Sequence, residues 1–151
     1  MAHGAVGGST TGSITEIANC AVESSVKTVS RRGAVMSDRE LLELAAKAAG
    51  MSDWAYVEKW GCMSKIRHAG GFYFDKDWNP LINDGDALRL AVKLGIDLVR
   101  LNLPTGVGIS AYDGKAPSAF EKYTDDPYAA TRRAIVRAAA EIGKRMDSKD
   151  E

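Results

Sequence analysis

The hydrophobic residues of this chain recur with two different periods, and the change of period restricts the fold more than any other feature. Three segments, near residues 37–50, 83–94 and 127–146, space their apolar residues three and four apart, as amphipathic helices do. Residues 96–112 instead alternate apolar and polar positions, as strands do. The pattern predicts an α+β fold in which about three helices pack with a small antiparallel sheet of about three strands.

The first and last helical segments carry clear start and stop signals. Ser37 and Glu40 form the S-x-x-E pattern of a capping box, and Gly50 supplies a stop. Asp126 can cap the last helix, and Pro127 suits its first position because the missing N–H would have no partner there. Both segments are therefore predicted to be amphipathic helices.

The second helical segment begins at Asn83 or Asp84, since either side chain can cap it. Over the range 87–94 only two charged residues interrupt a broad apolar arc, with Leu88 at its centre. We expect this helix to be heavily buried.

A β-hairpin is the simplest interpretation of the alternating segment. Its first strand begins near Ile96 and Leu98, and residues 107–112 follow across a turn at 104–106 that contains proline and glycine. Residues 118–123 then add a third antiparallel strand before the last helix.

Basic residues gather on one side of the last helix. At 100° per residue, Arg133, Arg137 and Lys144 lie opposite an apolar stripe, with Arg132 and Arg145 at the margins. These cations form the candidate nucleic-acid or partner face. An ordinary solvated face is favoured over a phosphate-binding one, because no aromatic residue is interleaved and the 20 Lys and Arg balance the 20 Asp and Glu. The apolar stripe consists of Tyr128, Ile135, Ala138, Ala139, Ile142 and Met146.

Most of the aromatic residues lie in one stretch, 54–78. Their rings can fill the core that alanine-rich helices leave open, form a stacking platform for bases, or line an enzyme site. We favour core filling. The residues are Trp54, Tyr56, Trp60, Phe72, Tyr73, Phe74 and Trp78.

The patterns that suggest metal binding or catalysis are weak. A calcium-loop template can be laid over residues 75–86, but Pro80 occupies the position where glycine permits the turn. Cys62 and His68 have no orienting acid nearby in the sequence. We therefore predict no catalytic residue, no metal and no cofactor. The template ligands would be Asp75, Asp77, Asn79 and Asp86.

The composition favours a single cytoplasmic domain at residues 36–147. With 45% hydrophobic and 26% charged residues the chain can build one core, and no apolar run approaches the roughly 20 residues of a membrane helix. Cys20 and Cys62 are too few for a disulfide framework, which suits a reducing compartment. Residues 148–151 are predicted to be a disordered end.

Residues 1–35 are rich in Gly, Ser and Thr and contain no aromatic residue, so they are predicted to be a disordered or appended tail. Deleting them is expected to leave the fold intact, because they have little apolar surface to bury. The thermal midpoints of the full and shortened chains should agree within a few degrees. A drop of many degrees would show that the tail packs.

Two blocks carry a resemblance to a known family. Residues 78–94 read WNPLINDGDALRLAVKL, and residues 126–144 read DPYAATRRAIVRAAAEIGK. They resemble the phage ABA sandwich domain, a family of small uncharacterised bacteriophage and prophage proteins, over roughly residues 36–146. The family usually has Thr-Asp-Asp before the glycine, where this chain has Ile82-Asn83-Asp84. The resemblance implies an αβα sandwich or two-layer fold with an antiparallel sheet and a phage or prophage origin, but no activity.

Three classes of function stay open. The favoured class is a phage or prophage accessory protein that acts as a non-catalytic protein-interaction module on an unknown host or phage protein in the bacterial cytoplasm. The alternatives are nucleic-acid binding through the basic face and an enzyme site within residues 54–78. A homo-oligomer stays open in each case, and no membrane association is expected.

Overall fold

The described residues of this computed structural model are 35–67, 72–114 and 117–149, of which 72–76 and 117 are described by their backbone alone. The predictions for the tail up to residue 34, for His68, for the side chain of Asp75 and for residues 150 and 151 lie outside the described residues. Three helices and six strands are described. In chain order they are α1 (Asp38–Ala48), β1 (Trp54–Val57), β2 (Cys62–Ile66), β3 (Phe72–Trp78), α2 (Asp84–Leu94), β4 (Asp97–Leu103), β5 (Gly106–Tyr112), β6 (Pro117–Lys122) and α3 (Pro127–Asp147).

The helices begin where the capping signals predict. The Ser37 hydroxyl accepts a hydrogen bond from the Glu40 N–H, and the Glu40 carboxylate accepts one from the Ser37 N–H at 2.8 Å, so the capping box is confirmed. The hydrogen bonds that the Glu40 carboxylate accepts from the Ser37 N–H and from the Ser37 hydroxyl lower the pKa of this carboxyl. Asn83 caps α2, and Asp126 caps α3 with Pro127 at its first position.

The predicted hairpin is confirmed, and β6 is the predicted third strand. β4 and β5 pair antiparallel without a break from Asp97 opposite Tyr112 to Leu103 opposite Gly106, and β6 pairs with the other side of β5. A second antiparallel sheet, in the order β1-β2-β3, occupies much of the aromatic stretch. The α+β class is therefore confirmed, with two three-stranded sheets.

The core forms where the two helices α1 and α3 pack on each other between the sheets. α3 lies against β5 and β6 of one sheet, and α1 lies against β1 and β2 of the other. α2 packs on a further side of α3. Because α3 has neighbours on several sides, its buried positions are mostly small. They are Ala130, Ala134, Ile135, Val136, Ala138, Ala139, Ala140 and Gly143.

The expectation that α2 is heavily buried around Leu88 is wrong. Leu88 is 62% exposed and Val92 is 74% exposed, whereas Leu90 is 2% exposed. The apolar arc of α2 spans more of the helix than its neighbours cover, and periodicity does not indicate which part of a broad arc is packed. The fully buried residues of α2 are Ala87, Leu90 and Ala91.

The apolar stripe predicted on the last helix is buried only in its middle. Ile135, Ala138 and Ala139 belong to the core. Tyr128 is 70% exposed and Met146 is also exposed, because these residues lie at the two ends of a 21-residue helix. The stripe is therefore a core contact over its central turns and a free surface at its ends.

Candidate functional site

The three cations of the predicted basic face each form an ion pair within the domain. An Arg133 Nη1 lies 3.1 Å from Asp38 Oδ1, and the two residues are 95 positions apart in the sequence. An Arg137 Nη1 lies 2.5 Å from Glu121 Oε1, and Lys144 Nζ lies 3.0 Å from Glu141 Oε1. The face therefore carries carboxylates among its cations, and its local charge is largely cancelled.

The two marginal arginines are also paired, and they tie separate elements together. Arg132 donates to the Leu81 carbonyl oxygen at 2.9 Å and lies 2.6 Å from Asp84, so it fastens α3 to the start of α2. Arg145 pairs with Asp113, which follows β5. Burial raises the pKa of the Asp113 carboxyl, but hydrogen bonds from Arg145 and Ser118 outweigh this and lower it overall.

These pairs give the cations a structural role that the sequence did not reveal. Arg133 connects α3 to α1, Arg137 connects α3 to β6, and Arg132 connects α3 to α2. A bound phosphate would have to compete with a carboxylate at each of these positions. This arrangement favours an ion-paired helix surface over a nucleic-acid interface.

Changing Arg133, Arg137 and Lys144 together to Gln is expected to lower the stability of the fold by about 1 kcal/mol, because partly exposed ion pairs contribute little. Neither the unmodified protein nor this variant should bind oligonucleotides appreciably near 0.15 M salt. Fluorescence anisotropy with duplex and single-stranded probes checks this. Micromolar binding by the unmodified protein that the variant loses, and that weakens steeply with salt, would establish a phosphate-binding face instead.

A groove of about 420 Å³ lies between α1 and the first sheet, in the region predicted to hold an enzyme site if the chain has one. Trp54, Tyr56 and Met63 contribute apolar walls. The Arg39 guanidinium lies 5.5 Å from the centroid of the Tyr56 ring and binds Glu43 at 3.0 Å. This hydrogen bond to Glu43 raises the pKa of Arg39.

A second groove, of about 270 Å³, shares Trp54 with the first and is also lined by Trp78 and Leu90. Asp86 in its wall accepts a hydrogen bond from the Asn79 N–H at 3.1 Å and pairs with Arg89 at 3.3 Å. The carboxylate is thus used to hold the turn before α2. Both grooves are open, mainly apolar depressions, and two of their acids, Glu43 and Asp86, are paired with Arg39 and Arg89 of the same walls.

The aromatic residues of the stretch 54–78 fill the core only in part. Trp78 is buried, Trp54 and Tyr56 are half-buried, and Trp60 is 39% exposed. The rings at 72, 73 and 74 are outside the described side chains. The prediction that these rings fill the core is therefore correct for Trp78, whereas Trp54, Tyr56 and Trp60 are only partly buried.

Two of the weak chemical patterns have structural explanations. The Asn79 side chain holds a turn, since its oxygen accepts from the Leu81 N–H at 3.1 Å and its nitrogen donates to the Gly61 carbonyl at 2.8 Å. Burial, and then the charge of Asp77, raise the pKa of the Cys62 thiol, which keeps it protonated and weakly nucleophilic. Within the described ranges, no group of three or more His, Cys, Asp or Glu residues is placed to hold a metal ion.

The sequence did not predict an exposed apolar surface around α2. We call it the α2 patch and define it as Ile82, Leu88, Val92 and Tyr128, all of which are exposed by 62% or more. Leu88 and Val92 are one turn apart on α2. Arg132 of α3 donates a hydrogen bond to the Leu81 carbonyl, which is next to Ile82. Tyr128 precedes Arg132 by one helical turn, so Tyr128 lies on the same side of α3, the side nearest Ile82. The sequence feature that could have indicated this exposed surface is the unusually wide apolar arc of the second helix.

Comparison of this chain with protein-family models, curated proteins and solved structures gives no significant match. The resemblance to the phage ABA sandwich domain family therefore stays a prediction. In the part of the chain that the structure describes, no helix is both long and apolar enough to cross a membrane.

Proposed function

We propose that this chain is a non-catalytic protein-interaction module, an accessory protein of phage or prophage origin, that binds a partner protein through the α2 patch. The observation that carries the proposal is the exposure of Leu88 and Val92 on α2, a helix whose other side is packed, with exposed Ile82 in the turn before it and exposed Tyr128 on α3. Folded monomers rarely leave large contiguous apolar surfaces in water, and such surfaces are typical of protein interfaces.

The charges around the patch indicate what kind of partner fits. Arg89 and Lys93 are exposed along one flank of α2, one residue beyond Leu88 and Val92. An interface of this kind has an apolar centre and a polar rim. We expect the partner to offer an apolar groove for Leu88 and Val92 with an acidic residue beside Lys93, as in the binding of amphipathic helices to grooves, because Arg89 is already paired with Asp86.

The remaining surfaces offer less support for the two alternatives. Nucleic-acid binding would use Arg133, Arg137 and Lys144, whose charges are paired with carboxylates of the same domain. An enzyme would use the grooves beside Trp54, where Glu43 and Asp86 are paired with Arg39 and Arg89. The Cys62 thiol, whose pKa is raised by burial, lines neither groove. An interaction surface requires none of this chemistry.

The test begins with the immobilised full chain and a bacterial lysate, and it is decided with the purified partner. A protein retained by the unmodified chain is purified, and its dissociation constant is measured by titration against Leu88→Asp and Val92→Asp. Each variant is expected to weaken binding at least about tenfold, since a carboxylate would enter an apolar interface.

Val35→Asp is the matched control, because Val35 is 78% exposed but outside the α2 patch. It should bind as tightly as the unmodified chain. Equal weakening by all three variants, or by none, would place the interface elsewhere. Retention of nucleic acid instead of protein would favour the alternative function.

A further inference from the structure

We propose that two copies of this chain pair through β4, so that their β4-β5-β6 sheets join into one six-stranded antiparallel sheet. The occupant of this edge is a second copy of the chain. The surface is separate from the α2 patch, and the inference does not depend on the proposed function.

β4 is an edge strand with both faces exposed to solvent. Among the strands that the structure describes, the sheet order places it at one edge, next to β5. α3 packs on β5 and β6, so β4 projects past the helix that covers the rest of its sheet. Leu98 on one face and Val99 and Leu103 on the other are each about 40% exposed. A strand of this composition gains apolar contacts when another strand joins it.

The open edge of β4 presents backbone groups for pairing. The Tyr123 N–H donates to the Val107 carbonyl at 2.9 Å, so the backbone of Val107 is directed to β6 and away from β4. Asn102, which lies opposite Val107, therefore forms a non-hydrogen-bonded pair and directs its own N–H and C=O to the open edge. By the alternation of an antiparallel ladder, Leu98 and Arg100 do the same.

β4 carries two charged residues, Asp97 and Arg100, but lacks the other features that usually protect an edge strand. It is seven residues long, contains no proline and pairs with β5 without a register shift. The opposite edge of the sheet differs, since β6 begins at Pro117 and its pairing shifts register near Tyr112. Long, regular and partly apolar edges are the ones that recruit another strand.

A symmetric register centred on Leu101 suits the β4 sequence. A two-fold axis at Leu101 places Leu101 opposite its own copy, Val99 opposite Leu103, and Arg100 opposite Asn102. A register centred on Arg100 would bring two guanidinium groups together, which is unfavourable. A register centred on Val99 would place Asp97 opposite Leu101.

Electrostatics and area indicate how strong this pairing is. The formal net charge of the chain is zero, so two copies do not repel one another at long range. Pairing of residues 99–103 alone buries less than the roughly 1,200 Å² in total that stable interfaces need. The dimer is therefore weak and depends on concentration.

Sedimentation equilibrium of the full chain over a wide concentration range tests the pairing. The unmodified chain should approach the dimer mass as concentration rises. Arg100→Pro should stay monomeric with an unchanged circular dichroism spectrum, because the N–H it removes faces the open edge. Val99→Pro is the matched control, since its N–H bonds to β5, and it should disturb the fold itself.

A disulfide test fixes the register and remains decisive if Arg100→Pro does not fold. In a Cys20→Ser background, Leu101→Cys should form a covalent dimer under mild oxidation, because a non-hydrogen-bonded pair on the axis brings the two Cα atoms to about 4.5 Å. Leu103→Cys, which lies opposite Val99, should form much less of the covalent dimer.

Three results would overturn the proposal. The first is a monomer at every concentration, and the second is equal cross-linking through positions 101 and 103. The third is a dimer that Leu88→Asp abolishes and Arg100→Pro, once folded, does not. That third result would assign self-association to the α2 patch.

Discussion

Gly143→Ala is expected to destabilise the fold by about 1–3 kcal/mol, although the same change inside a helix normally stabilises it by about 0.5–1 kcal/mol. The reversal follows from how closely α1 and α3 approach. A Cβ atom added at Gly143 would lie 3.0 Å from the Leu44 carbonyl carbon and closer still to its oxygen. Both obstructing atoms belong to the backbone of α1, so they cannot rotate away, and the two helices would have to separate.

Urea unfolding of the purified variants measures this effect. Gly85→Ala is the matched control, because Gly85 is also helical and an added Cβ would meet only the side chains of Asn83 and Arg89, at 3.2 Å or more. We expect Gly85→Ala to be close to neutral. If Gly143→Ala were as stable as Gly85→Ala, the close contact between α1 and α3 would be ruled out.

Leu90→Asp is expected to unfold the domain, whereas Leu88→Asp should change its stability by no more than about 0.5 kcal/mol. Leu90 is fully buried, and truncating a buried leucine alone costs about 2–5 kcal/mol. An unpaired carboxylate adds a further penalty, and a domain of this size has only about 5–15 kcal/mol in total. Leu88 faces water, so the same change there removes little.

Circular dichroism and chemical denaturation of the two variants decide the helical phase of α2. If the Leu90→Asp protein folded and the Leu88→Asp protein did not, α2 would be buried around Leu88, as the sequence alone predicts. The expected result also has a practical use, since a folded Leu88→Asp protein is the variant that the partner-binding test requires.

The two proposed surfaces are formed by different elements. The α2 patch lies on the helices α2 and α3, and the self-association edge is β4. A dimer paired through β4 would carry two α2 patches, and two weak contacts on one assembly bind a repeated partner more tightly than either does alone. Leu88→Asp and Arg100→Pro separate the contributions, because each variant is expected to remove one surface and leave the other.

Local signals in the sequence determined where the helices and the hairpin begin and end. The Ser37 and Glu40 capping box, the Asp126 cap before Pro127 and the turn at 104–106 each act within a few residues, so their geometry can be derived without knowing the rest of the fold. The α+β class follows from the same local patterns. β1, β2 and β3 were not predicted. β1 and β2 have only four and five residues, too few to show a clear alternation, and β3 begins with three consecutive aromatic residues, so it does not alternate either.

Contacts between distant residues were decided by the tertiary structure alone. Periodicity defined a broad apolar arc on α2, but the position of α3 determined that Leu90 is buried and Leu88 is exposed. The charge pattern defined a basic face, but Arg133 and Arg137 are neutralised by Asp38 and Glu121, which come from other elements. The physical reason is that burial and ion pairing depend on which surfaces meet in space, whereas caps and turns depend on the adjacent backbone.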